Sequence, residues 1–166
     1  GLSSVCDGAG GRAGGEVASA TACETIRDYL AERYADLQTC RKKANLLHRR
    51  QALDLVTGAI RAANDRVHAM SRDNPDGEGM ACTVALLLLL GSYAVVAHAG
   101  DSRVYLLRNG KIYQITDDHS AVVEQFKRGL ITAEQARSSR RGSLITRALG
   151  AREFVEPDTL FVELVG

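Results

Sequence analysis

Two aspartates, Asp7 and Asp101, sit in surroundings that suggest chemistry. Asp7 lies in Val5–Ser19, "VCDGAGGRAGGEVAS", where five of the eight residues from Gly8 to Gly15 are glycine. Glycine permits close backbone approach, but it loses more conformational freedom on folding than any other residue. Such a run beside an acid therefore needs a reason. Asp101 lies in "AGDSR", Ala99 to Arg103, after a stretch from Met80 to Gly100 that contains no acid. Both are aspartates flanked by glycine at the end of an apolar, strand-like run. Carboxylate and carbonyl oxygens are hard donors of the kind that Mg²⁺ and Mn²⁺ take.

Three readings compete for the first loop. Gly8-Ala9-Gly10-Gly11-Arg12-Ala13 fits the dinucleotide pattern G-x-G-x-x-A. That pattern works only with a second parallel strand ending in an acid about 20 residues later, whereas residues 26 to 37 have a helical period. No Walker lysine follows the glycines either. A purely structural turn is the second reading. In the third, Asp7 and the carbonyl of Gly8 hold a metal ion, the remaining glycines leave room for phosphate, and a helix starting near Gly15 adds a positive dipole end. For Asp101 the plain alternative is a turn aspartate paired with Arg103. Arg137, Arg140 and Arg141, with Arg147 beyond them, form a late basic cluster that is either a solvated charge run or a guide for phosphate.

These loops need elements to hold them. The chain of 166 residues has the length of about one domain, with 45% apolar and 25% charged residues. A net charge of +1 gives no basis for a nucleic-acid or membrane-surface partner. Cys6, Cys23, Cys40 and Cys82 are widely spaced, without a C-x-x-C pair, and read as reduced thiols in a cytoplasmic protein. No signal peptide is recognisable at Gly1–Leu2–Ser3. Met80 to Gly100 is long and apolar enough to span a bilayer, but Gly91–Ser92 breaks it at a hairpin turn, so two buried antiparallel strands are expected and no membrane span.

The spacing predicts a short strand from Leu2 to Cys6, then a helix from about Gly15 to Leu37 with Val17, Ile26, Leu30, Tyr34 and Leu37 near one face. Cys40 to Arg50 reads as a connection or an early helical turn. A second helix carries Leu53, Val56, Ile60, Ala63, Val67 and Met70. A second hairpin turns on Asn109–Gly110. Ala121 to Arg128 is helical, Thr132 and Gln135 form a capping box, and Phe154 to Val165 holds a last strand or two, with Pro157 at an edge or turn. The order gives an α+β layered domain.

These residues resemble bacterial metal-dependent serine/threonine protein phosphatases of type 2C. "VCDGAGGRAGGEVAS" is similar to the family's V-x-D-G-M-G-G-x-x-x-G-E-x-A-S, and "GMACTVALLLL" to its G-M-G-T-T strand, with Ala81 and Cys82 as departures. "VAHAGDSRVYLLRNGKIYQITDDHS" resembles its G-D-S-R…T-x-D-H-S segment, and "RGLITAEQARSSRRGSLITRALG" its mobile flap and L-T-R-A-L-G. The resemblance implies an antiparallel β-sandwich flanked by pairs of antiparallel helices, in αββα layers. It implies two tightly held Mn²⁺ or Mg²⁺ ions and a third, weaker one. By position, Asp7 would bridge the two ions, Gly8 would offer its carbonyl, and Asp101 would bind the third. A metal-activated water would then hydrolyse phosphoserine and phosphothreonine, so no nucleophilic side chain is needed.

Arg137, Arg140 and Arg141 fall in the flap-like segment 119–143. Phosphorylated proteins, the products of Ser/Thr kinases, are the implied partners, and a non-catalytic phosphoprotein- or partner-binding module is the alternative. The family's opening arginine and acid, and its closing S-D-G and G-x-x-D-N, have no counterpart in residues 1–166. A single, incomplete phosphatase domain is therefore expected, with unpaired sheet edges and low activity when isolated.

Overall fold

A computed structural model of the chain describes residues 1–9, 14–43, 45–73, 79–139 and 144–164. In order, the elements are β1 (Leu2–Val5), β2 (Gly8–Ala9), α1 (Gly14–Glu32), α2 (Tyr34–Lys42), α3 (Leu46–Asp73), β3 (Ala81–Cys82), β4 (Val84–Leu90), β5 (Tyr93–Ala99), β6 (Tyr105–Arg108), β7 (Lys111–Gln114), α4 (Ala121–Lys127), α5 (Ala133–Ser138) and β8 (Asp158–Glu163). The main sheet has the order β1-β4-β5-β8, and each neighbouring pair is antiparallel. Two-stranded ribbons β2–β3 and β6–β7 complete the strands. Of the expected αββα layers, the described residues contain a helical layer, the four-stranded sheet and the β6–β7 ribbon.

Side-chain alternation along the strands explains this layering. Val84, Leu86, Leu88 and Leu90 of β4 and Tyr93, Val95, Ala97 and Ala99 of β5 join the core with α1 and α3. Ala94, Val96 and His98 on the other face of β5 are buried too. Burial of β5 on both faces, and of most of β4, accounts for the membrane-like composition of Met80 to Gly100, in which His98 is the one basic residue. Among the described residues no helix is long and apolar enough to cross a membrane.

The first helix differs from its prediction. Its buried stripe is Ala18, Ala22, Ile26 and Leu30, whereas Val17 and Tyr34 are exposed. Alanines let α1 lie close against α3, whose own buried stripe includes Ala59, Ile60, Ala63 and Val67. The helix also breaks at Arg33, where the guanidinium donates to the carbonyl of Tyr29, the acceptor that a continuous helix would reserve for the Arg33 amide. The expected connection from Cys40 to Arg50 is largely helical. α2 runs to Lys42, and Asn45 starts α3 by accepting the His48 amide at 3.1 Å. Leu46 and Leu47 point outward, so no apolar period announced that start.

Both hairpins form where expected, with Asn109 and Gly110 both at positive φ (52° and 71°). Ser120 caps α4, and Thr132 with Gln135 forms the capping box of α5. β8 begins directly after Pro157.

Ile60 is fully buried between the helices and the sheet. Ile60→Ala should lower the unfolding free energy by about 2–5 kcal/mol, measured by urea denaturation.

Candidate metal centre

Strand register brings the two aspartate loops to one end of the sheet. Val5 lies opposite Ala85 and Gly8 opposite Cys82, so Asp7 falls beside Thr83. On the other side of β4, Val84 pairs with Ala99, which sets Gly100 beside the same threonine. The Thr83 amide donates to the Asp7 carbonyl at 2.9 Å. The Asp7 amide donates to Thr83 Oγ1 at 3.1 Å, and that hydroxyl meets Ser102 Oγ at 2.7 Å. Thr83, 3% exposed, therefore ties both loops into one unit.

Two glycines allow this approach. A Cβ on Gly100 would lie 2.6 Å from Thr83 Cγ2, and its φ of 116° belongs to the left-handed region that favours glycine. A Cβ on Gly8 would lie 2.0 Å from the carbonyl oxygen of Gly15, so the Asp7 loop runs directly against the start of α1. The remainder of the glycine run, residues 10–13, lies outside the described residues.

Asp7 is exposed and Asp101 half-buried. Arg103 does not pair with Asp101, as the turn reading supposed. Instead its guanidinium binds Asp118 through two contacts of 2.6 Å each. Among the described residues, neither Asp7 nor Asp101 is engaged in an ion pair. Two carboxylates and the Gly8 carbonyl are hard-oxygen donors, a chemistry that fits Mn²⁺ or Mg²⁺.

A polar cluster lies behind Gly100, at the same end of the sheet. His119 is 4% exposed and stacks on His98, with ring centroids 4.4 Å apart and planes 16° apart. Its Nδ1 accepts the Gly100 amide at 3.1 Å, while its own amide donates to the Gly100 carbonyl at 2.9 Å. Its Nε2 faces Asp158 Oδ2 at 3.2 Å, and Arg147 Nη1 donates to Asp158 Oδ1 at 2.6 Å. Burial, and next His119, push the His98 imidazole from an ordinary 6.5 down to about 4. Burial also lowers His119, outweighing the opposing pull of Asp158. Burial alone would raise Asp158, but His119 and Arg147 together hold it below its ordinary value.

Three distant cysteines also meet beneath the Asp7 loop. Contact with Cys82, and then burial, push the Cys6 thiol far up, and Cys23 is raised by burial and by Cys6. Cys6 and Cys23 are thus protonated packing groups, and all four cysteines are free.

Of the flap arginines, Arg137 is exposed on α5, and Arg140 and Arg141 lie outside the described residues. The sequence alone does not assign site roles to Thr83, His119, Arg147 or Asp158, although Arg147 stands in the late basic cluster. The first three stand inside the quoted motifs, but their roles depend on long-range pairing. Asp158 carried no local signal.

Comparison with known proteins matches residues 2–149 to the Protein phosphatase 2C family. The serine/threonine protein phosphatase PstP of Mycobacterium tuberculosis is 38% identical over 156 residues, which are 94% of this chain and 27% of that protein. A crystal structure of the M. tuberculosis phosphatase PstP/Ppp superposes with a TM-score of 0.80 at 36% identity, covering 98% of this chain and 63% of that one. A structure of the PstP catalytic domain in complex with two manganese ions gives 0.72 at 36% identity, covering 98% of this chain and 61% of that one. The chain thus spans about a quarter of that curated relative and less than two thirds of the solved domains.

Thr83→Val keeps the shape but leaves the Asp7 amide without its acceptor. It should cost about 1–3 kcal/mol in urea denaturation, and Thr83→Ser, which retains the hydroxyl, should cost clearly less.

Proposed function

The chain belongs to the protein phosphatase 2C family, and from that premise we propose that it builds much of a metal-dependent phosphatase acting on phosphoserine and phosphothreonine in proteins. The junction at Thr83 carries this reading, because it joins two aspartate loops of hard-oxygen donors at one sheet end. Asp7 and the Gly8 carbonyl would hold the tightly bound divalent ions, and Asp101 would hold a further ion more loosely. Bound there, Mn²⁺ or Mg²⁺ supplies positive charge against the phosphate oxygens and lowers the pKa of water.

What the chain itself contributes is placement. The Asp7 backbone is bonded at both its amide and its carbonyl, so its carboxylate leaves a fixed point on the sheet edge. No side chain of this chain is asked to form a bond to phosphorus. The residues 119–143 act as a flap in which Arg137, Arg140 and Arg141 guide a phosphorylated polypeptide. Proteins phosphorylated by Ser/Thr kinases are the substrate class, and the cytoplasm is the compartment. No feature of the geometry favours the binding-module alternative.

In the full-length protein, Asp7→Asn should abolish Mn²⁺-dependent hydrolysis of an aryl phosphate. Retention of activity near that of the wild type would remove Asp7 from the centre.

Replacing Arg137, Arg140 and Arg141 together by Ala should raise the KM for a phosphopeptide and leave that for a small aryl phosphate unchanged. Equal effects on both substrates would return these arginines to a solvated charge run.

A further inference from the structure

We propose that His119 is a positioning residue for the Asp101 metal site, acting through a two-point grip on the backbone of Gly100. The inference rests on the reading of Asp101 as a metal ligand. Gly100 immediately precedes Asp101, and both of its backbone polar groups are taken by His119. Its amide donates to Nδ1 at 3.1 Å, and its carbonyl accepts the His119 amide at 2.9 Å. On the opposite side Gly100 rests on the methyl of Thr83. With φ at 116°, a glycine has many other conformations to adopt, and the grip selects one. The direction in which Asp101 leaves the sheet is set by that choice.

The ring is in turn fixed in one protonation pattern. Because Nδ1 accepts an amide proton, the neutral ring carries its own proton on Nε2. Nε2 lies 3.2 Å from Asp158 Oδ2, the acceptor for that proton, and 3.2 Å from Arg147 Nη1, which itself donates to Asp158 Oδ1. Arg147 holds Asp158 at 2.6 Å, and the His98 ring covers one face of His119. The same pattern excludes a metal ion shared by His98, His119 and Asp158, whose ligand atoms lie within 4.8 Å of one another. Both nitrogens of His119 are committed, and the in-plane lone pairs of two nearly parallel stacked rings do not converge on one point.

The test uses the full-length protein, Mn²⁺ as the probe and calorimetry as the readout, with amide hydrogen exchange of the metal-free protein alongside. His119→Phe keeps the ring and its stack but removes the acceptor. It should weaken the loosest Mn²⁺ site about tenfold, as outer-shell partners do, and speed exchange of the Gly100 amide. His119→Asn, whose Oδ1 can accept where Nδ1 did, should recover most of both.

Asp101→Asn should weaken the same site, and adding His119→Phe to it should weaken it no further. If Asp101→Asn weakens the site but His119→Phe does not, or if the two losses add, the grip is overturned while the Asp101 reading stands. If Asp101→Asn leaves all sites unchanged, the Asp101 reading fails, and the inference with it. Nitrogen-15 spectra of the wild-type protein check the ring independently of any variant. They should show Nδ1 unprotonated, and the opposite tautomer would overturn the proposal.

Discussion

Thr83 is the residue on which the site geometry depends. A single Cβ carries the hydroxyl that accepts the Asp7 amide and contacts Ser102, and the methyl on which Gly100 rests. Serine would lack the methyl and valine the hydroxyl. Thr83 is also buried, so its hydroxyl cannot exchange these partners for water at little cost. The first loop is held to it by hydrogen bonds and the second by packing and the contact with Ser102. The separation between the two carboxylate-bearing segments is therefore set by one side chain and the spacing of neighbouring strands.

The surroundings hold that junction from the remaining sides. Cys82, next to Thr83, exchanges two backbone hydrogen bonds with Leu149. The following Gly150 donates its amide to Asn64 of α3, a buried side chain that also binds the carbonyls of Arg152 and Glu153. Beyond these, Arg147 and Asp158 support His119 behind Gly100. Segments distant in sequence thus converge on one sheet end, and each brings a polar group whose partner is already present. A buried polar network of this kind is stabilising only when its members are satisfied. Here the His98 Nδ1 atom is the exception among these groups, which fits a ring kept neutral by burial.

Legibility in the sequence followed how local each determinant is. Asn109–Gly110 and Thr132–Gln135 state their turn and cap within four residues, and both formed as read. The β4–β5 hairpin was legible because two largely buried, apolar runs meet at Gly91–Ser92. α1 was harder, since half of its buried stripe is alanine and the more conspicuous Val17 and Tyr34 face outward. The start of α3 was hidden by the exposed Leu46 and Leu47. At the site, each Asp-Gly loop could be recognised alone, but the threonine joining them could not, because its role follows from strand register. Arg103 illustrates the same limit, with its partner Asp118 fifteen residues away rather than two.

The position of Asp7 ties the site to the pairing of β1 with β4. β1 is four residues long, and among the described residues it pairs only with β4, with three of its four residues exposed. Asp7 stands two residues past the end of β1, so each fraying event there carries the carboxylate away from its setting. If Asp7 holds an ion as proposed, occupancy of the centre and pairing of β1 with β4 are two sides of one equilibrium. An ion that requires Asp7 in place would act as a clasp on β1 and slow its opening, and a chain with a looser edge would hold the ion less well.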